Sequence, residues 1–145
     1  MIISFLIDGI ISKYAPYSIL SLIYLILIDK NNSKKYYIVS FLVGFMFDYF
    51  YSVTLFYNSF LFLETAFFIK KLQKLLPQSI INYLIIVGFT VFNYYTTSFI
   101  ILSIIKYISF DFIRYLYVIL NSLELNLILA LILYLIKKKQ HKIKW

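Results

Sequence analysis

The sequence contains no cysteine and only a little charge, glycine and proline. Without cysteine the chain has no disulfide, no thiolate metal site and no thiol nucleophile. Its single histidine, His141, lies in a basic C-terminal stretch, where a solvated side chain is far more common than a metal ligand. Only 14% of the 145 residues are charged, whereas a soluble domain carries about 25%. This shortage of charge predicts an integral membrane protein.

Hydrophobic residues make up 63% of the chain, and 15 phenylalanines and 15 tyrosines are among its residues. The formal net charge is +8, which on a soluble protein would suggest nucleic acid as a partner. Here the lysines stand in short runs beside apolar segments, a pattern typical of topology signals and of contacts with anionic lipid headgroups. We therefore expect membrane lipid, and not nucleic acid, as a partner.

Apolar segments of about transmembrane length follow one another along the chain. Residues 80–105 carry no charge and form the clearest predicted span. Residues 36–69 would make one helix of about 51 Å, too long for a bilayer. Two short spans with a tight turn near Ser52–Thr54 are therefore predicted there. Two further spans are predicted, at residues 17–28 and 115–136.

Whether the first twelve residues cross the membrane decides whether six or five transmembrane helices are predicted. As a helix they would reach only about 18 Å, short of the roughly 30 Å hydrocarbon core. Neither a basic leader nor a small-residue cleavage site marks them as a signal peptide. We expect an all-α integral membrane protein with six transmembrane helices if this segment inserts, and with five if it lies at the interface.

Three strongly basic segments, residues 30–35, 70–74 and 137–144, indicate the orientation of the chain. With a helical hairpin between each pair, all three fall on one side of the membrane, which is the positive-inside pattern of a cytoplasmic face. The sequence therefore predicts a single transmembrane domain over residues 1–136 in the cytoplasmic membrane. A basic cytoplasmic tail over residues 137–145 follows it.

Polar side chains inside the apolar segments are candidate functional residues: Glu64, Asn121, Glu124 and Asn126. A charged side chain at mid-depth costs about 2.5–3.5 kcal/mol on insertion scales, so each carboxylate is expected to be hidden in the bundle or used. Asn121 and Glu124 share a helix face, and Ser122 and Asn126 share a neighbouring one. Together the four are expected to mark the side of the last helix that faces protein, with Glu124 as the most deeply placed carboxylate. Interhelical hydrogen bonding is the more common role of such groups. A polar pocket or a groove for a partner is the alternative.

A second candidate set lies beside the predicted turn. Asp48 follows Lys35 by thirteen residues, about 20 Å along a helix, so we expect it near the outer end of its span. There Gly44 would let a neighbouring helix approach closely, and Asn58, across the turn, would hydrogen-bond to Asp48. The three residues are predicted to fix the hairpin or to face a partner.

The sequence lacks the motifs of the common catalytic sites. Two membrane aspartates invite comparison with intramembrane aspartyl proteases, but the Gly44-x-x-x-Asp48 pattern has no matching second motif. No Ser/His pair, HExxH, CxxC or phosphate-binding loop is present. Buried carboxylates also occur in proton-coupled transporters, yet no duplicated half with broken helices is visible. We expect a protein that is not an enzyme and that has no cofactor or metal.

The central stretch resembles MreD, a family of small membrane proteins of the bacterial rod-shape machinery. That family ends an apolar segment with Gly-x-x-x-Asp, which Gly44 and Asp48 match in GFMFD. A short turn and a Gly-x-Asn pattern follow, which Asn58 matches in LFYN, with Phe56 in place of the glycine. The segment Ala15–Leu27, which contains Pro16 near its start, and the basic loop after it are also similar. The rest of the chain matches in length, span count and basic tail.

The resemblance implies a non-enzymatic scaffold that controls cell shape and peptidoglycan synthesis. MreD-like proteins pair with the bitopic membrane protein MreC. They belong to an assembly with the actin-like MreB, a RodA-type glycosyltransferase and a class B penicillin-binding protein. Their fold is similar to the substrate-binding subunits of energy-coupling-factor transporters, with six helices around a pocket. The alternative function is therefore that of a vitamin-binding membrane subunit of such a transporter.

Overall fold

The computed structural model describes residues 19–26, 33–51, 56–77, 79–109 and 111–139, and their regular structure is entirely α-helical. The all-α part of the prediction is confirmed. The helices are α1 (Leu20–Ile26), α2 (Ser33–Tyr51), α3 (Tyr57–Leu75), α4 (Ile80–Ile104) and α5 (Phe112–Lys139).

The predicted count of six or five transmembrane helices is wrong. Of the described helices, two are long and apolar enough to cross a membrane, α4 over Ile80–Ile104 and α5 over Phe112–Ile136. Helices α2 and α3 are long, but they carry three and four charged residues within nineteen. Helix α1 has only seven residues. The six-span fold expected by analogy with energy-coupling-factor subunits is therefore not the fold described here.

Several predicted features lie outside the described residues. The segment 1–12 is one of them, and the predicted turn at Ser52–Thr54 is another. At the other end of the chain, α5 continues to Lys139, three residues past the predicted boundary at 136 between the transmembrane domain and the tail.

Polar side chains cap the two long apolar helices at their N-termini. The Ser79 hydroxyl accepts a hydrogen bond from the backbone N–H of Asn82 at 3.1 Å and begins α4. The Asp111 carboxylate accepts the N–H of Ile113 at 3.0 Å and begins α5. Such caps satisfy backbone donors that a helix leaves unpaired in its first turn.

The four long helices pack as two antiparallel hairpins, α2 with α3 and α4 with α5, joined by contacts between α3 and α4. Rings of Tyr83 and Tyr134, 5.3 Å apart, mark one end of the second hairpin, and rings of Phe99 and Tyr115, 5.1 Å apart, mark the other. Helix α1 contacts α3, α4 and α5 and closes the core. The fully buried core residues include Leu22, Ile23, Phe62, Val87 and Ala130.

The lysines near the start of α2 and near the end of α3 lie at one end of the two hairpins, whereas Lys106 follows α4 at the other end. The ammonium of Lys70, near the end of α3, lies 5.5 Å from the ring centroid of Tyr37, near the start of α2. Because α4 begins directly after α3 and α5 runs antiparallel to α4, the C-terminus of α5 lies at this same end. We call it the basic end.

Candidate functional site

The N-terminus of α3 has no capping side chain of its own. The residue at the cap position is Phe56, whose side chain contains no hydrogen-bond acceptor and whose backbone has a positive φ of 67°. The N–H groups of Asn58 and Ser59, in the first turn of α3, therefore need acceptors from elsewhere.

Asp48, from the preceding helix, supplies those acceptors. Its Oδ1 accepts the backbone N–H of Asn58 at 2.9 Å, and its Oδ2 accepts the backbone N–H of Ser59 at 3.1 Å. The Asn58 amide at 2.8 Å and the Ser59 hydroxyl at 3.1 Å also donate to the carboxylate. Asp48 is only 1% exposed. The four donors and the positive end of the α3 dipole together stabilise a carboxylate buried away from water.

Gly44 lies one helical turn before Asp48 and makes this arrangement sterically possible. A Cβ atom at Gly44 would lie 2.6 Å from the carbonyl oxygen of Asn58 and 2.6 Å from the Cα of Ser59. Both are backbone atoms, which cannot swing aside. The missing side chain thus lets the start of α3 approach α2 closely enough for the Asp48 hydrogen bonds to form.

Asn58 extends the network to a third helix. The hydroxyl of Tyr94, on α4, donates to Asn58 Oδ1 at 2.5 Å, while the Asn58 amide donates to Asp48. One residue earlier, the Tyr57 hydroxyl lies 2.6 Å from Ser98 Oγ. No sequence pattern pointed to Tyr94, because fifteen tyrosines are scattered through the chain and the neighbours of Tyr94 do not distinguish it from the others.

The structure therefore brings Gly44, Asp48 and Asn58 into one cluster, and the hydrogen bond expected between the last two is present. Each Asp48 oxygen accepts two hydrogen bonds, so little acceptor capacity is left for a substrate or a metal. Within the described residues, no group of three histidine, cysteine or acidic side chains is placed to hold a metal ion. The cluster is built to hold three helices together.

Glu64 lies apart from this cluster, on the wall of an open cavity of about 890 Å³. Its carboxylate lies 3.5 Å from the amide of Asn93 and 3.4 Å from the hydroxyl of Thr97, one turn apart on α4. Among the described residues that line the cavity, Glu64 alone is charged, and the others are aliphatic or aromatic: Tyr37, Tyr57, Phe60, Leu61, Leu63, Phe67 and Ile101.

Asn126 is fully buried and joins α5 to α1. Its Oδ1 accepts the backbone N–H of Ile19 at 2.9 Å, and its amide donates to the carbonyl of Ser122 at 2.7 Å. Ser122 is likewise fully buried. This contact is an interhelical hydrogen bond, the more common of the two roles expected for the polar residues of the last helix.

Glu124 does not face the packed interior of the described helices, whereas Ser122 and Asn126, on the neighbouring face, do. Glu124 is exposed, and Asp48, not Glu124, is the deeply buried carboxylate. Residues two apart on a helix point about 200° apart, so burial of Ser122 and Asn126 turns Glu124 outward. Asn121 is half-buried and donates to the Tyr117 carbonyl of its own helix at 2.9 Å. The face shared by Asn121 and Glu124 is thus not the packed face.

Comparison with known proteins identifies no relative of the chain. No protein-family model matches the chain, and neither a curated protein nor a solved structure matches it.

Proposed function

We propose that the protein is a non-enzymatic membrane scaffold of the cell-elongation machinery, which supports cell shape and peptidoglycan synthesis through an MreC-like bitopic partner. The observation that carries the proposal is the use of Asp48. The polar residues that carry the MreD resemblance bond to one another and join three helices, as expected for a scaffold. A catalyst would instead need an acceptor free to meet its substrate.

The proposed setting is the cytoplasmic membrane, crossed by the α4–α5 hairpin. Both helices have the length and apolar composition for this. The lysines gathered at the basic end favour a cytoplasmic position for that end, and therefore for the C-terminus of α5. The Asp48 cluster would then lie toward the outer side. MreB-like actin, a RodA-type glycosyltransferase and a class B penicillin-binding protein are the further partners proposed with MreC.

The vitamin-binding alternative receives less support from the described residues. Such a subunit needs polar groups that converge on its ligand. Of the described residues that line the open cavity beside α3, Glu64 alone is charged, and its carboxylate already faces Asn93 and Thr97. An apolar groove of this kind suits a lipid chain or a protein helix better than a vitamin.

Depletion of the protein from its host cell tests the proposal. We expect depleted cells to lose their elongated shape and to incorporate less peptidoglycan along the side wall, and we expect re-expression of the chain to restore both. Depleted cells that keep their shape and their peptidoglycan incorporation, but fail to take up a vitamin, would contradict the scaffold and favour the transporter subunit.

A further inference from the structure

One face of α5 is exposed from Ile113 to Leu135. Its members recur every three or four residues, which places them on a single stripe. Leu120 is 66% exposed and Ile128 is 52% exposed. We call this stripe the outer face of α5: Ile113, Tyr117, Leu120, Glu124, Ile128, Leu131 and Leu135.

Glu124 is the one charged residue of the outer face and lies at its middle. The candidate span runs from Phe112 to Ile136, so Glu124 is about 18 Å along the helix from either end. That is too far for a glutamate side chain to reach the headgroup region, and a lone carboxylate in hydrocarbon is strongly unfavourable. Rotation of the helix cannot bury Glu124 without exposing Asn126, which is fully buried and bonded to Ile19.

Glu124 differs from the other described carboxylates of the long helices in its surroundings. Asp48 accepts four hydrogen bonds, and Glu64 faces an amide and a hydroxyl of α4. Among the residues that the structure describes, none donates a hydrogen bond to Glu124 or forms an ion pair with it. The described residues offer no donor to Glu124, and lipid chains contain none, so a partner protein is the source of the donor that we consider here.

We propose that the outer face of α5 binds a transmembrane helix of a partner protein that carries a lysine or arginine at the level of Glu124. The apolar residues above and below would pack along the partner helix, and the basic side chain would pair with the carboxylate. A second copy of this chain fits less well, since a symmetric contact would oppose two Glu124 carboxylates. The inference rests on the proposed function in that it assumes a membrane scaffold, and it specifies the chemistry of the partner.

Binding of model helices to the full chain in phosphatidylcholine vesicles tests the proposal. The probes are two fluorescent leucine–alanine peptides of about 20 residues, identical except for a central lysine or a central leucine. Energy transfer from labelled protein reports binding. We expect the lysine peptide to bind wild-type chain about fivefold to thirtyfold more tightly than the leucine peptide. We expect Glu124→Leu to remove this preference.

Glu64→Gln is the matched control, because it neutralises a carboxylate on another helix and should leave the peptide preference unchanged. Equal binding of both peptides to the wild-type chain, or a lysine preference that survives Glu124→Leu, would overturn the proposal. Self-association of the chain that Glu124→Leu abolishes, with no peptide preference, would overturn it in favour of a contact between two copies.

The same variants separate this inference from the proposed function. If an MreC-like protein co-purifies equally with wild-type chain and Glu124→Leu, and the peptide preference is absent, the scaffold proposal is supported and the proposal for the outer face of α5 is contradicted. If the lysine peptide is preferred but wild-type chain recovers no MreC-like protein, the proposal for the outer face of α5 is supported and the MreC-like partner is contradicted.

Discussion

Asp48 caps the helix that begins nine residues after it by accepting the backbone N–H groups of Asn58 and Ser59. A capping side chain normally comes from the residue at the helix start itself. Here the start is occupied by Phe56, and the acceptor comes from the preceding helix instead. The Asp48 carboxylate thus caps the N-terminus of α3 and links α3 to α2.

Removal of the remote cap should destabilise the fold strongly. Asp48→Ala leaves two buried backbone donors and the Asn58 amide without their acceptor, and each unsatisfied group costs about 1–3 kcal/mol. Because three such groups are left, we expect a loss of at least about 3 kcal/mol in the free energy of unfolding, measured by reversible denaturation in detergent with circular dichroism. Asp48→Asn, which keeps one acceptor, should lose less.

Asp111→Ala is the control for this prediction. Asp111 also caps a helix, but it is exposed, so water replaces the lost acceptor and we expect a loss of about 1 kcal/mol. If Asp48→Ala were no more harmful than Asp111→Ala, the Asp48 cluster would not be the main link between α2 and α3.

Two glycines provide a matched pair for the close helix contact. Gly44→Ala should destabilise the protein by about 1–3 kcal/mol, because its Cβ would overlap backbone atoms of α3 at 2.6 Å. Gly88→Ala meets only a Leu127 methyl at 3.9 Å and should be neutral or stabilise by up to about 1 kcal/mol. Thermal unfolding of both variants in the same detergent checks the difference, and equal melting temperatures would rule out the close contact.

Phe56 combines backbone strain with side-chain packing. Its left-handed conformation costs about 1–2 kcal/mol, while its ring lies 6.4 Å from the Phe41 ring and 5.4 Å from the Phe45 ring. Phe56→Gly removes both effects and should change the free energy of unfolding by less than about 1 kcal/mol. Phe56→Ala keeps the strain and loses the rings, so it should be about 1–2 kcal/mol less stable than Phe56→Gly. The opposite order in chemical denaturation would contradict the left-handed backbone.

The link to the third helix is tested by a double-mutant cycle. Tyr94→Phe removes the donor to Asn58 Oδ1 and should cost about 1 kcal/mol, whereas Tyr49→Phe, at a 69% exposed position, should cost almost nothing. Combined with Asp48→Asn, the Tyr94 variant should show a coupling energy of about 0.5–1 kcal/mol, since both residues bond to Asn58. Strict additivity in the unfolding free energies would place Tyr94 outside the network.

The Asp48–Asn58 contact could be predicted because the two residues are only ten apart in sequence. The spacing of Asp48 from Lys35 and the turn predicted between Asp48 and Asn58 were sufficient to place the contact. Tyr94 was not predictable, since its contact depends on how α4 packs on α3, and no periodic pattern distinguishes it from the other tyrosines.

The orientation of α5 was predictable only in part. The two neighbouring faces of α5, one with Asn121 and Glu124 and one with Ser122 and Asn126, are both expected to face protein. The helix buries only the second face, because Asn126 accepts the N–H of Ile19, directly before α1. That N–H belongs to a segment more than a hundred residues away in sequence. The predicted number of transmembrane helices was wrong. Charged residues at the ends of α2 and α3 were assigned to loops, although they lie within the helices.

Quantitative co-purification from membranes tests the central claim most directly. A tagged chain is isolated from cells that make an MreC-like protein, and the partner recovered is expressed per mole of chain. We expect the wild-type chain to recover the partner and Asp48→Ala to recover several-fold less per mole of chain, with Asp111→Ala close to wild type. Recovery of no MreC-like protein by a wild-type chain present at normal abundance would contradict the scaffold, as would equal recovery by wild type and Asp48→Ala.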